Sequence, residues 1–126
     1  MRAFRDAVEA WDIERVLSLM THDVTFRSPV VHRPYQGRDE VAPILHAVSR
    51  VFEGFRYDRV IGDEAAADHA LVFRARVGDR EVEGCDFVHT DADGMVDEFF
   101  VMVRPLSGAL ALAEAMRAEL ERAATG

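Results

Sequence analysis

The stretch Gly84–Gly94, GCDFVHTDADG, alternates for six residues and then breaks into a turn. Successive side chains of a strand point to opposite faces. One row therefore reads Val82, Gly84, Asp86 and Val88, and the other Glu83, Cys85, Phe87 and His89. Asp91-Ala92-Asp93-Gly94 has turn composition. Beyond it, MVDEFFVMVRP alternates again, with Phe99, Val101 and Val103 opposite Glu98, Phe100, Met102 and Arg104. Upstream, HALVFRARV sets Leu71, Phe73, Ala75 and Val77 against Val72, Arg74 and Arg76, and Gly78-Asp79 turns it back. The uncharged rows predict an inner face, and the arginine rows an outer one. In the 82–89 strand the row with Asp86 is expected inside.

The N-terminal half reads as helical. Ala3, Phe4, Ala7 and Val8 share a face. Asp12 is a predicted N-cap for a second helix carrying Ile13, Val16, Leu17 and Met20. VTFRS alternates, with Val24, Phe26 and Ser28 on one side, until Pro29 ends it. PVVHRPYQGR reads as a loop. A third helix is expected from about Asp39, with Val41, Ile44, Leu45, Val48, Val51 and Phe52 as its stripe and Pro43 in its first turn. YDRVI suggests only a short strand. After Pro105 the tail is helical, with Leu106, Leu110, Ala113, Met116 or Arg117, and Leu120 as the expected stripe. Helices followed by an antiparallel meander make an α+β fold. A curved sheet wrapped on three helices, with an extra C-terminal helix, would form a cone open at one end.

The 126 residues show no repeat or linker and fit one domain, 1–126. Fifteen basic against twenty-three acidic residues leave a net charge of −8, which argues against nucleic acid or anionic membrane as partners. Cys85 is the sole cysteine, so no internal disulfide is possible. Neither a signal-peptide core nor an apolar run of about eighteen residues is present, and a cytoplasmic location is expected. His22, His69 and His89 lack partners at metal-ligand spacing. The acids of DADGMVDE do not follow the order of a calcium loop. No G-x-S-x-G, G-x-G-x-x-G or P-loop occurs. Neither a metal nor a cofactor is predicted.

An inward Asp86 needs an explanation. Complete burial raises a carboxyl pKa by up to about 3–5 units, equivalent to roughly 4–7 kcal/mol against the charged form. A domain holds only about 5–15 kcal/mol of stability. Asp86 must be protonated, hydrogen-bonded or exposed to a wet cavity. With a cavity, it becomes a candidate acid or base. Without one, it is a structural residue tying the strand to the helices. The segment His32-Arg33-Pro34-Tyr35, beside Ser28, reads either as a pocket lip or as a surface loop with Tyr35 packed on the core.

The segments WDIERVLSLMTHDVTFRSP, YQGRDEVAPIL and GCDFVHTDADGMVDEF resemble the nuclear-transport-factor-2-like superfamily, which includes ketosteroid isomerases and SnoaL-like polyketide cyclases. The likeness spans roughly residues 3–104. It implies a cystatin-like α+β cone, usually dimeric, with an apolar pocket at its open end. The spacing of ketosteroid isomerase can be laid on Asp12–Gly37 without a gap. Its catalytic tyrosine then falls on Phe4 and its general base on Ser28, while its oxyanion-binding acid is retained as Asp86. That enzyme keeps its acid neutral in an apolar site, so the resemblance implies a raised pKa for Asp86. Authentic ketosteroid isomerase activity is not expected. The cyclases place an acid near the position of Val101, another departure.

These readings predict a pocket for a hydrophobic, oxygen-bearing molecule of polyketide, steroid or terpenoid type. Asp86 would be its catalytic acid or base for isomerisation or cyclisation. Phe4, Phe26, Ser28, His32, Tyr35, Phe73 and Val101 would bind the ligand. The outward face with Arg74, Arg76, Phe100, Met102 and Arg104 would form a homodimer. The alternative is a non-catalytic ligand-binding or dimerisation module whose cone is plugged by Phe26, Phe87 or the C-terminal helix. A void of roughly 300 Å³ or more reaching Asp86 would favour the first.

Overall fold

The computed structural model describes residues 1–125. Helix α1 (Arg2–Glu9) buries Phe4, Ala7 and Val8. It ends in a Schellman motif, with Trp11 N–H donating to the Val8 carbonyl and Asp12 N–H to that of Ala7, each at 3.0 Å. Glycine usually occupies the left-handed position of that motif, but here it is Trp11, at φ 55°. Such a conformation costs an L-residue roughly 1–2 kcal/mol. Packing of the indole against Phe55 and Phe52, at centroid distances of 5.1 and 6.5 Å, offsets it. The Asp12 carboxylate then caps α2 (Ile13–Ser18) by accepting from Arg15 N–H at 3.1 Å. Met20, expected on the α2 stripe, instead opens the first strand, fully buried.

The strands are β1 (Met20–Arg27), β2 (Tyr35–Gln36), β3 (Glu53–Ile61), β4 (Asp68–Val77), β5 (Arg80–Thr90) and β6 (Val96–Arg104). Helix α3 (Arg38–Val51) precedes β3, and α4 (Leu106–Thr125) follows β6. One curved, unclosed sheet has the order β2-β1-β6-β5-β4-β3. Its β3-to-β6 half is the expected meander, but β1 runs parallel to β6. The chain leaves β1, crosses through α3 and returns beside it only in β6, which makes the sheet mixed. Two residues of the expected loop form β2, where Tyr35 sits opposite Phe26. Strand β3 is nine residues long rather than short. Pro43 lies in the second turn of α3, not the first. A proline there removes one i→i−4 bond without ending the helix.

Phe73, Ala75, Val77, Val82, Gly84, Asp86, Val88, Phe99 and Val101 are buried on the concave face. Arg74 and Arg76 are exposed on the convex one. The helices fill the concavity, and the buried apolar residues form one continuous cluster. The stripe of α4 differs from expectation. Gly108, Leu112 and Met116 face inward, while Leu106 and Leu110 are 75% and 62% exposed. No helix among the described residues is long and apolar enough to cross a membrane.

Gly84 sits between Phe73 of β4 and Val103 of β6. A Cβ there would lie 2.2 Å from the Phe73 ring and 2.7 Å from the Met102 carbonyl oxygen. The absent side chain lets the ring lie across β5. Overpacking of this kind costs roughly 1–3 kcal/mol. Gly84→Ala should therefore lower the denaturant midpoint by a corresponding amount. An unchanged midpoint would show that the ring is free to move away.

Candidate functional site

Asp86 is 3% exposed, on the concave face of β5 opposite Leu71 and Val101. Its Oδ2 accepts a hydrogen bond of 2.5 Å from the Tyr57 hydroxyl. Tyr57 belongs to β3 and pairs with Phe73, which in turn pairs with Gly84. The phenol thus reaches diagonally across β4, past the strand position that lacks a side chain. The β3 backbone is itself tied to α1, since Tyr57 N–H donates to the Glu9 carboxylate at 3.0 Å.

Burial raises the Asp86 pKa from 3.8 to about 7, and the Tyr57 bond acts in the opposite direction. Tyr57 is pushed well above the usual phenol value of 10, first by burial and then by the Asp86 charge. Tyr57 therefore stays a donor, while Asp86 changes protonation state near neutral pH. The distance is typical of a charge-assisted O–H···O⁻ bond. No arginine or histidine joins Asp86 in the wall of the void.

Asp86 lines a void of about 70 Å³. Strands contribute Phe26, Phe73, Phe99 and Val101; α3 contributes Ile44, Leu45 and Val48. The α1–α2 corner supplies Val8, Trp11, Ile13 and Val16, and α4 supplies Leu112 and Met116. Phe52 and Phe55 fill the α3–β3 junction, and Ser28, Pro29 and Val30 form the remaining side. The arrangement is one carboxyl and one hydroxyl in an otherwise apolar wall.

Of the residues expected at a pocket, Asp86, Phe26, Ser28, Phe73 and Val101 line this void. Phe4 does not; it is buried against Phe99 at a centroid distance of 5.4 Å. His32 is exposed in the loop between β1 and β2. Tyr35 packs on Phe26 at 6.1 Å and is not part of the wall. The Ser28 hydroxyl oxygen accepts from the Val30 and Val31 amides at 3.0 and 3.2 Å, folding the loop back on itself. Tyr57 was not anticipated. Its signal was the alternation Phe55/Tyr57 against Arg56/Asp58, which extends the weak YDRVI strand backward.

Folding raises the Asp86 pKa, so the native chain holds this proton more tightly than the unfolded one. The associated stability is complete below about pH 4 and is lost as pH rises through about 7. The shift corresponds to roughly 4 kcal/mol. Asp86→Asn should accordingly gain stability over the parent as pH rises from about 4 to about 8, by roughly 2–4 kcal/mol. Denaturation curves at the two pH values measure it; parallel pH dependences would mean that folding leaves the Asp86 pKa unshifted. Tyr57→Phe removes a donor to the ionised form, so its cost should be larger at high pH than at low, by roughly 1.5–3 kcal/mol. A loss independent of pH would indicate packing alone.

Comparison with known proteins gives three findings. The sequence model of the SnoaL-like domain matches residues 1–99. The crystal structure of a steroid delta-isomerase from Pseudomonas aeruginosa is 39% identical, with a TM-score of 0.90, covering 96% of this chain and 88% of that one. A bacterial protein with a cystatin-like fold from Silicibacter pomeroyi is 33% identical, with a TM-score of 0.87, covering 93% and 82%. No curated protein sequence matches.

Proposed function

The chain belongs to the SnoaL-like domain family, and from that premise we propose that its void binds a hydrophobic, oxygen-bearing small molecule at Asp86. Polyketide-, steroid- or terpenoid-like fragments have the required chemistry. The observation that carries this reading is a buried carboxyl, held by a phenol on one oxygen and lining an otherwise apolar void. When protonated, Asp86 donates to a ligand carbonyl and stabilises an enol or enolate. When ionised, it accepts a proton from carbon or hydroxyl. A pKa of about 7 suits both directions of transfer at neutral pH. Tyr57 is a positioning residue, since it bonds Asp86 but does not line the void. The reaction class is proton transfer in isomerisation or cyclisation, with the Ser28 hydroxyl in the same wall available as a hydrogen-bond donor.

Likeness to a steroid delta-isomerase does not carry its chemistry across unchanged. Phe4 and Ser28 stand where the resemblance places the tyrosine and base, and neither exchanges a proton near neutral pH. Isomerisation of a Δ5-3-ketosteroid should be absent or very slow.

The size of the void favours a second reading, a non-catalytic module. At about 70 Å³ it falls well below the range of roughly 300–1,000 Å³ usual for ligand sites. Calorimetric titration with cyclohexanone, a small neutral acceptor, separates the two. Under the first reading the wild type binds more tightly at about pH 5 than at about pH 9, because only protonated Asp86 donates. Asp86→Asn, which donates at every pH, loses that dependence. Absence of binding at both values would leave the module reading.

We also propose a homodimer through the convex sheet. Phe87 and Met102 are 41% and 51% exposed there, and Phe87 lies 6.1 Å from Phe100. Arg74 and Arg104 border them, both paired with Glu83. An apolar centre with a charged rim fits an interface. Met102→Asp should convert a dimer to a monomer in sedimentation analysis; a wild-type monomer would refute the assembly.

A further inference from the structure

We propose that α4 is a movable wall of the Asp86 void, and that Met116 and Leu112 on it set the largest ligand admitted. The inference rests on the reading of that void as the ligand site. An engineered protein cavity of about 150 Å³ accommodates benzene. The void here, about 70 Å³, is too small for one aromatic ring unless a wall gives way.

The walls differ in how firmly they are held. Phe26, Phe73 and Phe99 stand on strands paired on both sides. Helix α3 is anchored by Val41, Leu45 and Ala47, at 0%, 6% and 1% exposure. The α1–α2 corner is closed by the hydrogen bonds of its Schellman motif. Helix α4 buries Gly108, Leu112 and Met116, three of its twenty residues, with Ala111, Ala115 and Leu120 half-buried against the core. Its side-chain ion pair to another element, among the described residues, is Glu119 with Arg50 of α3, at 3.5 Å, and Arg50 is half-exposed. With Arg50 open to solvent and Glu119 largely covered, the pair ties α4 to α3 at one point.

Helix α4 can also keep its own structure away from the body. Arg117 pairs with Glu114 and Glu121, and Arg122 with Glu119, all within the helix. Alanine occupies seven of its twenty positions, and isolated helices become viable beyond roughly 12–15 residues. Near its start, Gly108 approaches β5 so closely that a Cβ would lie 2.6 Å from Val82 Cγ1. The start of α4 is thereby its closely packed end, and in the proposed motion the end carrying Met116 moves away while this end serves as the pivot. The segment lies beyond residue 99, where the family match ends.

Thiol trapping tests the motion without any ligand. In a Cys85→Ser background, Met116→Cys and the control Val41→Cys are exposed to iodoacetamide, and alkylation is followed by mass spectrometry. Local opening of α4 makes the Met116→Cys thiol react at least about tenfold faster than the control, which waits for global unfolding. Arg50→Glu, which sets like charges across the α3–α4 contact, adds a few-fold acceleration. Equal rates at the two positions overturn the movable wall. For size selection, 2-naphthol is titrated into wild type and Met116→Ala; tighter binding by about tenfold or more is expected of the variant. Unchanged affinity overturns the gating role. If alkylation is fast but Asp86→Asn leaves the pH dependence of binding intact, α4 moves as proposed and the assignment of Asp86 falls instead.

Discussion

The hydrogen bond from Tyr57 to Asp86 is the constraint around which the concave side is organised. In a chain of net charge −8, an ionised carboxyl among phenylalanine and valine side chains has no arginine or histidine beside it in the wall. One phenol donor keeps the charged state within reach without making it dominant. Tyr57 can arrive only because β3 is a full-length strand and because Gly84 leaves room for Phe73 to lie over β5. A missing side chain, a ring and a hydroxyl on three neighbouring strands are thus parts of a single solution. The void follows from the same arrangement, since the wall is apolar wherever Asp86 and Ser28 do not interrupt it.

Shape and chemistry separate clearly in this protein. The backbone follows that of a steroid delta-isomerase closely, yet catalysis depends on individual groups that a backbone does not specify. Phe4 on α1 packs on Phe99 rather than reaching the void. Ser28 brings a hydroxyl whose oxygen is engaged in its own loop. Tyr57 brings a phenol from a different element and places it behind the acid. The Asp86 carboxyl has a proton affinity set by burial and one donor. Helix α4 borders the hollow of the fold on one side, and aromatic side chains border it on others.

The convex side follows different rules. Arg74 is paired with Asp58 and Glu83, and Arg104 with Glu83, all in contact with water. Such pairs contribute little to stability. They keep charge off the concave side and border the exposed Phe87 and Met102. The sheet thus divides its polar requirements, with screened charges outside and a single buried carboxyl inside.

Alternation along β4, β5 and β6 was legible from the residues alone, because period-two patterning is a local property of the strand. It sorted Arg74 from Phe73 and turned Asp86 inward before any neighbour was known. The N-cap at Asp12 and the hairpin at Asp91–Gly94 were local in the same sense. What lay beyond such patterns concerned partners distant in the chain. Tyr57 is 29 residues from Asp86, and their contact depends on the register of β3, β4 and β5. The parallel pairing of β1 with β6 depends on where the chain returns. The rotation of α4 is not legible from its residues, because alanine on every side makes its apolar stripe ambiguous, and the close approach of Gly108 to Val82 decides which face is buried. The residues alone determined that an acid would face the interior; tertiary packing decided which donor meets it and how little space remains, because both depend on distances between elements that local periodicity does not encode.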